Sequence, residues 1–265
     1  MEIRTVTVIG GQGRGGQKEP VDCVDFRMGD VASIVGPTGS GKTAFINDIA
    51  LFADDSTPSR RRILINGSRA PADFLEDPSR NPIALITQHT TFLSDLPVGR
   101  FLEIHARIRH REKSGPVVDD TLAFANQLTG EPIDEGGAMT QISGGQTRAL
   151  LIADAVVIGN SPIILLDEIE NAGIDRSRAL ELLRRYEKIF FFVTHDVRIA
   201  LLSDFRLIMS NGALHDLLVT DETERRLAET IGRLDEIMLR LRDTIRRGGR
   251  LTEQALGVAL PAQTA

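Results

Sequence analysis

The most specific chemistry in the chain is carried by Gly36-Pro37-Thr38-Gly39-Ser40-Gly41-Lys42-Thr43. These residues follow the apolar run Val31 to Val35 and lead into "AFINDIALFA", so a glycine-rich turn joins a strand to the start of a helix. In such a turn the glycines let backbone N–H groups curl around phosphate oxygens, and the helix start favours the same anion. Lys42 would reach the β and γ phosphates of a nucleotide, and the Thr43 hydroxyl would ligand Mg²⁺. An ordinary glycine-rich turn is the alternative, but average residue frequencies put a chance match to the pattern at roughly 1% in a chain of this size.

Transfer of a phosphoryl group to water also needs a carboxylate at the metal and a group that handles the water. "SPIILLDEIE" supplies both: Ile163 to Leu166 form a short apolar run, expected to be a buried parallel strand, that ends in Asp167-Glu168. Asp167 would hold Mg²⁺ through water, and Glu168 would be the general base or water-orienting group. Two further segments could address a γ phosphate. Ser143-Gly144-Gly145-Gln146 precedes a helical pattern, either as a simple cap or as an anion site built from free N–H groups. "EKIFFFVTHD" ends a strongly β-forming run in Thr194-His195-Asp196. A histidine at the carboxyl end of a parallel strand faces the ligand crevice, unless it is only hydrogen-bonded in place there.

The elements that position these residues must come from one chain of 265 residues with 42% hydrophobic and 26% charged residues, enough to bury a sizeable core. No apolar run approaches the roughly 18 residues of a membrane span, and "MEIRTVTVIG" lacks the pattern of a secretory signal, so a cytoplasmic protein is expected. The single cysteine, Cys23, is expected to be a buried thiol. A formal charge of -6 gives no reason to expect nucleic acid. "GGQGRGGQ", Gly10 to Gln17, formally matches a dinucleotide fingerprint, yet "QKEPVDCVDF" follows where a helix would be required. It is expected to be a loop between two strands.

In order and spacing these motifs resemble those of the ABC-type ATPases over nearly all of residues 2 to 212. The resemblance rests on "GPTGSGKT" at 36 to 43, Gln88 in "LITQHTTFL", "ISGGQ" at 142 to 146, "ILLDE" at 164 to 168, "AGID" at 172 to 175 and "VTHD" at 193 to 196. It implies a fold, the P-loop NTPase cassette: a three-layer α/β core with a mainly parallel sheet, an antiparallel β element that includes "RRRILINGS", and a helical subdomain near residues 90–145. It also implies that two cassettes, here a homodimer, close head to tail around two Mg-ATP. Each phosphate loop would then receive Ser143 and Gly145 of the opposite copy, while Asp175 lines the seam. His195 would contact the γ phosphate, and Gln88 would approach the Mg²⁺ and the water. A groove beside Gln88, bordered by "TFLSDLP", would receive a helix of a separately encoded membrane-spanning transporter subunit, placing the protein on the inner face of the membrane. A soluble ATPase that remodels or assembles a protein or cofactor complex is the other functional class open to such a cassette.

Three departures from the family pattern stand out. The usual base-stacking aromatic is missing near "GGQGRGGQ", which leaves the Arg14 guanidinium as the candidate to cover the base. Ile169 replaces the usual proline after Glu168, and "LLIADAVV" lacks the arginine common in transporters. In the helical subdomain, "LPVGRFLEIHARIRHREK" places Val98, Phe101, Leu102, His105 and Ile108 on one face, and "VDDTLAFANQLTG" is a second helix. Residues 213–250 are expected to form a charged helical extension, with Leu227, Ile231, Leu234, Met238, Leu241 and Ile245 spaced by four and three. That stripe would dock on its own domain or meet a dimer or other partner. Arg240, Arg242, Arg246, Arg247 and Arg250 would form a solvated face or meet an acidic surface. Residues 251–265 are expected to be a mobile tail.

Overall fold

The computed structural model describes residues 2–87, 89–109, 115–129, 131–168 and 176–251. The elements run in order β1 (Thr5–Ile9), β2 (Cys23–Arg27), β3 (Val31–Val35), α1 (Lys42–Ala50), β4 (Arg62–Ile65), β5 (Ser68–Arg69), α2 (Asp73–Glu76), β6 (Ile83–Ile86), α3 (Val98–Arg109), α4 (Gly115–Leu128), α5 (Gly144–Val156), β7 (Ile163–Asp167), α6 (Arg176–Leu183), β8 (Ile189–Val193), α7 (Val197–Leu202), β9 (Phe205–Ser210), β10 (Ala213–Val219) and α8 (Glu222–Arg246).

Runs such as "IILLD" and "IFFFV" are apolar at every position because their strands are buried on both faces. They form the middle of a six-stranded sheet of order β10-β9-β3-β8-β7-β6, parallel except for β10. Side chains along a strand alternate between faces, so β8 feeds two cores. Ile189, Phe191 and Val193 join α1 and the antiparallel sheet β2-β1-β4-β5. Phe190 and Phe192 join α3, α4, α5 and α6 on the other face. The expected three layers are found. "RRRILINGS" contributes β4 and β5, which turn through Asn66 and Gly67 at φ 50° and 75°.

Four details differ from expectation. Cys23 is exposed, because the alternation of β2 turns Val24 and Phe26 inward and Cys23, Asp25 and Arg27 outward. On α3 the buried positions are Val98, Gly99, Leu102 and Ala106, leaving Ile108 exposed and turning His105 to Asp154 of α5, Nδ1 to Oδ1, 2.7 Å. Residues 213–219 belong to the sheet as β10, and the two compact units of the chain are residues 1–220 and 221–265, so the helical extension starts at Asp221 rather than 213. On α8 the stripe spaced by four and three is not uniformly buried: Leu227, Leu234, Met238 and Ile245 are exposed, and Ile231 and Leu241 are half-buried. The tail from residue 252 lies outside the described residues.

Candidate nucleotide site

The phosphate loop fills the gap between β3 and α1. Gly36, Gly39 and Gly41 take φ of 151°, 78° and 104°, backbone that L side chains rarely adopt. A Cβ on Gly36 would strike the Met209 carbonyl, and one on Gly41 would come within 2.8 Å of the Gly212 Cα. No side chain caps α1 at Gly41, so its first-turn donors are left for a ligand. Lys42 Nζ lies across the loop and donates to the carbonyls of Gly36 (2.8 Å) and Pro37 (3.2 Å). Pro37, Thr38, Gly39 and Thr43 are exposed, and the buried Ser40 hydroxyl, 4% accessible, has no hydrogen-bond partner.

The parallel register sets the other groups beside this loop. β8 and β9 flank β3, β7 flanks β8 and β6 flanks β7, so the segments after β3, β8, β7 and β6 emerge in adjacent positions along one edge. Asp167 ends β7 opposite Val193, and Glu168 donates its N–H to the Val193 carbonyl at 3.0 Å. Glu168 sits at φ 50°, left-handed and uncommon for a non-glycine residue. Its carboxylate Oε1 lies 3.5 Å from His195 Nε2, with 30% and 49% of the two side chains accessible. The two residues singled out from separate motifs are thus brought together at the sheet edge. His195 is held between a buried Thr194, whose hydroxyl accepts from the Asp196 N–H (2.9 Å), and Asp196 itself, whose carboxylate caps α7 at Arg198 and Ile199.

Ser143 to Gln146 form the N-terminus of α5. Ser143 Oγ accepts from the Gln146 N–H at 3.3 Å, while Gln146 Oε1 accepts from the Ser143 N–H at 2.9 Å, a capping box. Gln146 Nε2 also donates to the Pro132 carbonyl. Ser143 and Gly144 are exposed, Gly145 is half-buried, and no hydrogen bond of Ser143 or Gln146 reaches the phosphate loop of the same chain. Gln88, Ile169 and Asp175 lie outside the described residues. The "GGQGRGGQ" segment is a loop between β1 and β2, closed by a bridge between Gln12 and Lys18. Arg14 is exposed and donates its N–H to the Asn211 carbonyl at 2.9 Å, beside the turn whose Gly212 N–H binds the Ser40 carbonyl.

A glycine-rich loop and strand-end carboxylates at one edge of a parallel sheet suit many families, and sequence comparison selects among them. The family model described as "ABC transporter" matches residues 23–171. The "uncharacterized ABC transporter ATP-binding protein MJ0121" of Methanocaldococcus jannaschii is 44% identical over 97% of this chain and 98% of its own length. This chain belongs to the ABC transporter family, as an ATPase cassette. Another relative, the zinc import ATP-binding protein ZnuC of Paracoccus denitrificans, is 28% identical over 75% of the chain and 72% of its own length. Among solved structures, the dimeric ATP-binding cassette MJ0796 bound to ADP and Pi shares the fold, with a TM-score of 0.62 at 22% identity over 82% of this chain and 99% of that one.

The residues of this ABC cassette fit the groups the family uses. The strained glycines and uncapped α1 suit phosphate. Among the described residues no cluster of three or more His, Cys, Asp or Glu could hold a metal by itself. Mg²⁺ needs no such cage, since it keeps several waters and takes one or two protein oxygens together with substrate phosphates. Thr43 and Asp167 are donors of that kind. Arg148 was absent from the sequence-based site: its Nη1 donates to the Glu168 carbonyl at 3.0 Å, across a separation of 20 residues that gives no local signal. The capping role of Asp196 was legible, since an Asp directly before an apolar helical run is a start signal.

Proposed function

We propose that this ABC cassette binds Mg-ATP, closes head to tail on a second copy, and hydrolyses ATP to drive a membrane-spanning transporter subunit. The observation that carries the reading is the Glu168 carboxylate 3.5 Å from His195 at the same sheet edge as the phosphate loop. Gly36 to Gly41 cradle the phosphates, Lys42 exchanges its two carbonyl partners for phosphate oxygens, and Thr43 and Asp167 hold the metal. Held by Thr43 and Asp167, Mg²⁺ would supply positive charge against that of the phosphates. Glu168 orients or deprotonates the attacking water, and His195 binds the γ phosphate. Ser143 and Gly145, exposed and half-buried and without bonds to their own phosphate loop, complete the site of the other copy, with Gln88 and Asp175 in the roles the family gives them.

No helix among the described residues is long and apolar enough to cross a membrane, and this reading assigns the span to a transporter subunit. Relatives named for import and export support that partner, and the cassette then works at the inner face of the membrane. A tagged Glu168→Gln protein tests the reading. Its turnover should fall by at least ~100-fold while ATP still binds, and in ATP it should bring a multispanning protein out of the membrane fraction. Wild-type turnover would remove Glu168 from its role, and recovery with a globular partner from the soluble fraction alone would favour a remodelling ATPase.

A further inference from the structure

Behind the phosphate loop lies a buried charged cluster that the hydrolysis scheme does not use. Arg61, just before β4, is wholly inaccessible, and its guanidinium has a partner on every side. Nε donates to both carboxylate oxygens of Glu19 at 3.1 and 3.2 Å, Nη1 to Asp48 at 2.8 Å, and Nη2 to Glu19 and to the Gly212 carbonyl, the latter at 2.7 Å. Its plane covers the Phe45 ring at 4.9 Å. Glu19 also accepts the N–H groups of Gly11 and Leu214, and Asp48 accepts the Ser59 hydroxyl. Four separate segments meet here: the β1–β2 loop, α1, the lead-in to β4 and the β9–β10 turn.

Apolar packing could fill this space with equal or greater stability, because desolvating charges is expensive. It could not fix the direction of a carbonyl or an amide. Gly212 is where that direction matters: its carbonyl is held by Arg61, while its N–H donates to the Ser40 carbonyl inside the phosphate loop at 2.8 Å. Asp48 and Phe45 lie on α1, the helix that begins with Lys42 and Thr43. The cluster therefore holds the end of the phosphate loop that leads into α1, at the Ser40 carbonyl through Gly212 and at the helix itself through Asp48 and Phe45.

Building on the ATPase reading, we propose that Arg61 is a positioning residue for the nucleotide, bracing the phosphate loop through Gly212 and α1 with Glu19 and Asp48 as its anchors. It touches neither Glu168 nor His195, so its effect falls on nucleotide affinity rather than on turnover. Arg61→Lys keeps the cation and loses the fork. A melting curve, calorimetric binding of ATP without Mg²⁺, and steady-state kinetics should show a cooperative fold, Kd and KM raised about tenfold or more, and kcat within about twofold. The exposed neighbour Arg62, as Arg62→Lys, should match the wild type. Should Arg61→Lys fail to fold, Glu19→Gln is expected to give the same split. A folded Arg61→Lys or Glu19→Gln with unchanged Kd overturns the proposal, as does failure of both to fold, which would assign the cluster to stability alone. Absence of ATP binding by the wild type would instead count against the nucleotide site itself.

Discussion

Lys188, one residue before β8, is 5% accessible and donates to the Asn160 side-chain oxygen at 2.8 Å. Burial away from water lowers its pKa from 10.5 to about 8. Between about pH 8 and 10.5 the unfolded chain therefore holds a proton that the folded chain has released, and stability rises with pH across that window. Below pH 8 the ammonium is charged in both states and its burial cost is present in full. Lys188→Met, similar in length and uncharged, is expected to raise the melting temperature at pH 7 by at least ~3 °C and to flatten the alkaline rise. Unchanged melting at both pH values would show that the amine is solvated in solution. Residues of this kind were not legible in the sequence: Lys188 meets Asn160, and Arg61 meets Glu19 across 42 positions and Gly212 across 151. Gly36 to Thr43 and Asp167-Glu168 were legible, because each motif is a single turn of backbone with its strand beside it.

Elements were readable where one period governs them. The alternation of β2 and the unbroken apolar runs of β3, β7 and β8 each match a single burial regime. β10 was missed because it breaks period two: its pairing with β9 shifts between Leu214 and Asp216, a bulge that puts His215 and Asp216 together on the exposed side. At α5, "SGGQ" left a cap and an anion site both open, and the capping box establishes the first. The two roles separate experimentally. Loss of the cap in Ser143→Ala should cost about 1 kcal/mol, lowering the melting point by roughly 2–4 °C. ATP affinity of the isolated chain should stay unchanged, since Ser143 bonds nothing at its own phosphate loop. Turnover should fall by more than the stability loss explains, about tenfold or beyond, if the site is completed in trans. Normal turnover with a lowered melting point would leave Ser143 as a cap only.

At the scale of the molecule, strand order is what converts separate motifs into one site. Chain order places the phosphate loop, Gln88, Asp167 and His195 after β3, β6, β7 and β8, but spatial order is β3-β8-β7-β6, so His195 stands next to the loop and the β6 end farthest away. No spacing in the sequence carries that permutation, although the unbroken apolar run Phe190 to Phe192, packed into both cores, marks β8 as an interior strand. Thr43 at that edge and Ser143 at the α5 terminus are both exposed, so in the proposed site a nucleotide held by one phosphate loop is left open to a second chain. On the proposed reading, closure on a second copy supplies the rest of the site, and hydrolysis releases that copy. Glu168→Gln in saturating Mg-ATP is therefore expected to double the mass measured by light scattering. The double variant with Lys42→Ala should remain single, because the β and γ phosphates lose their cation before the second copy can engage. If Glu168→Gln kept the mass of one chain at every ATP concentration, Ser143 would face no partner and the head-to-tail pair would be untenable.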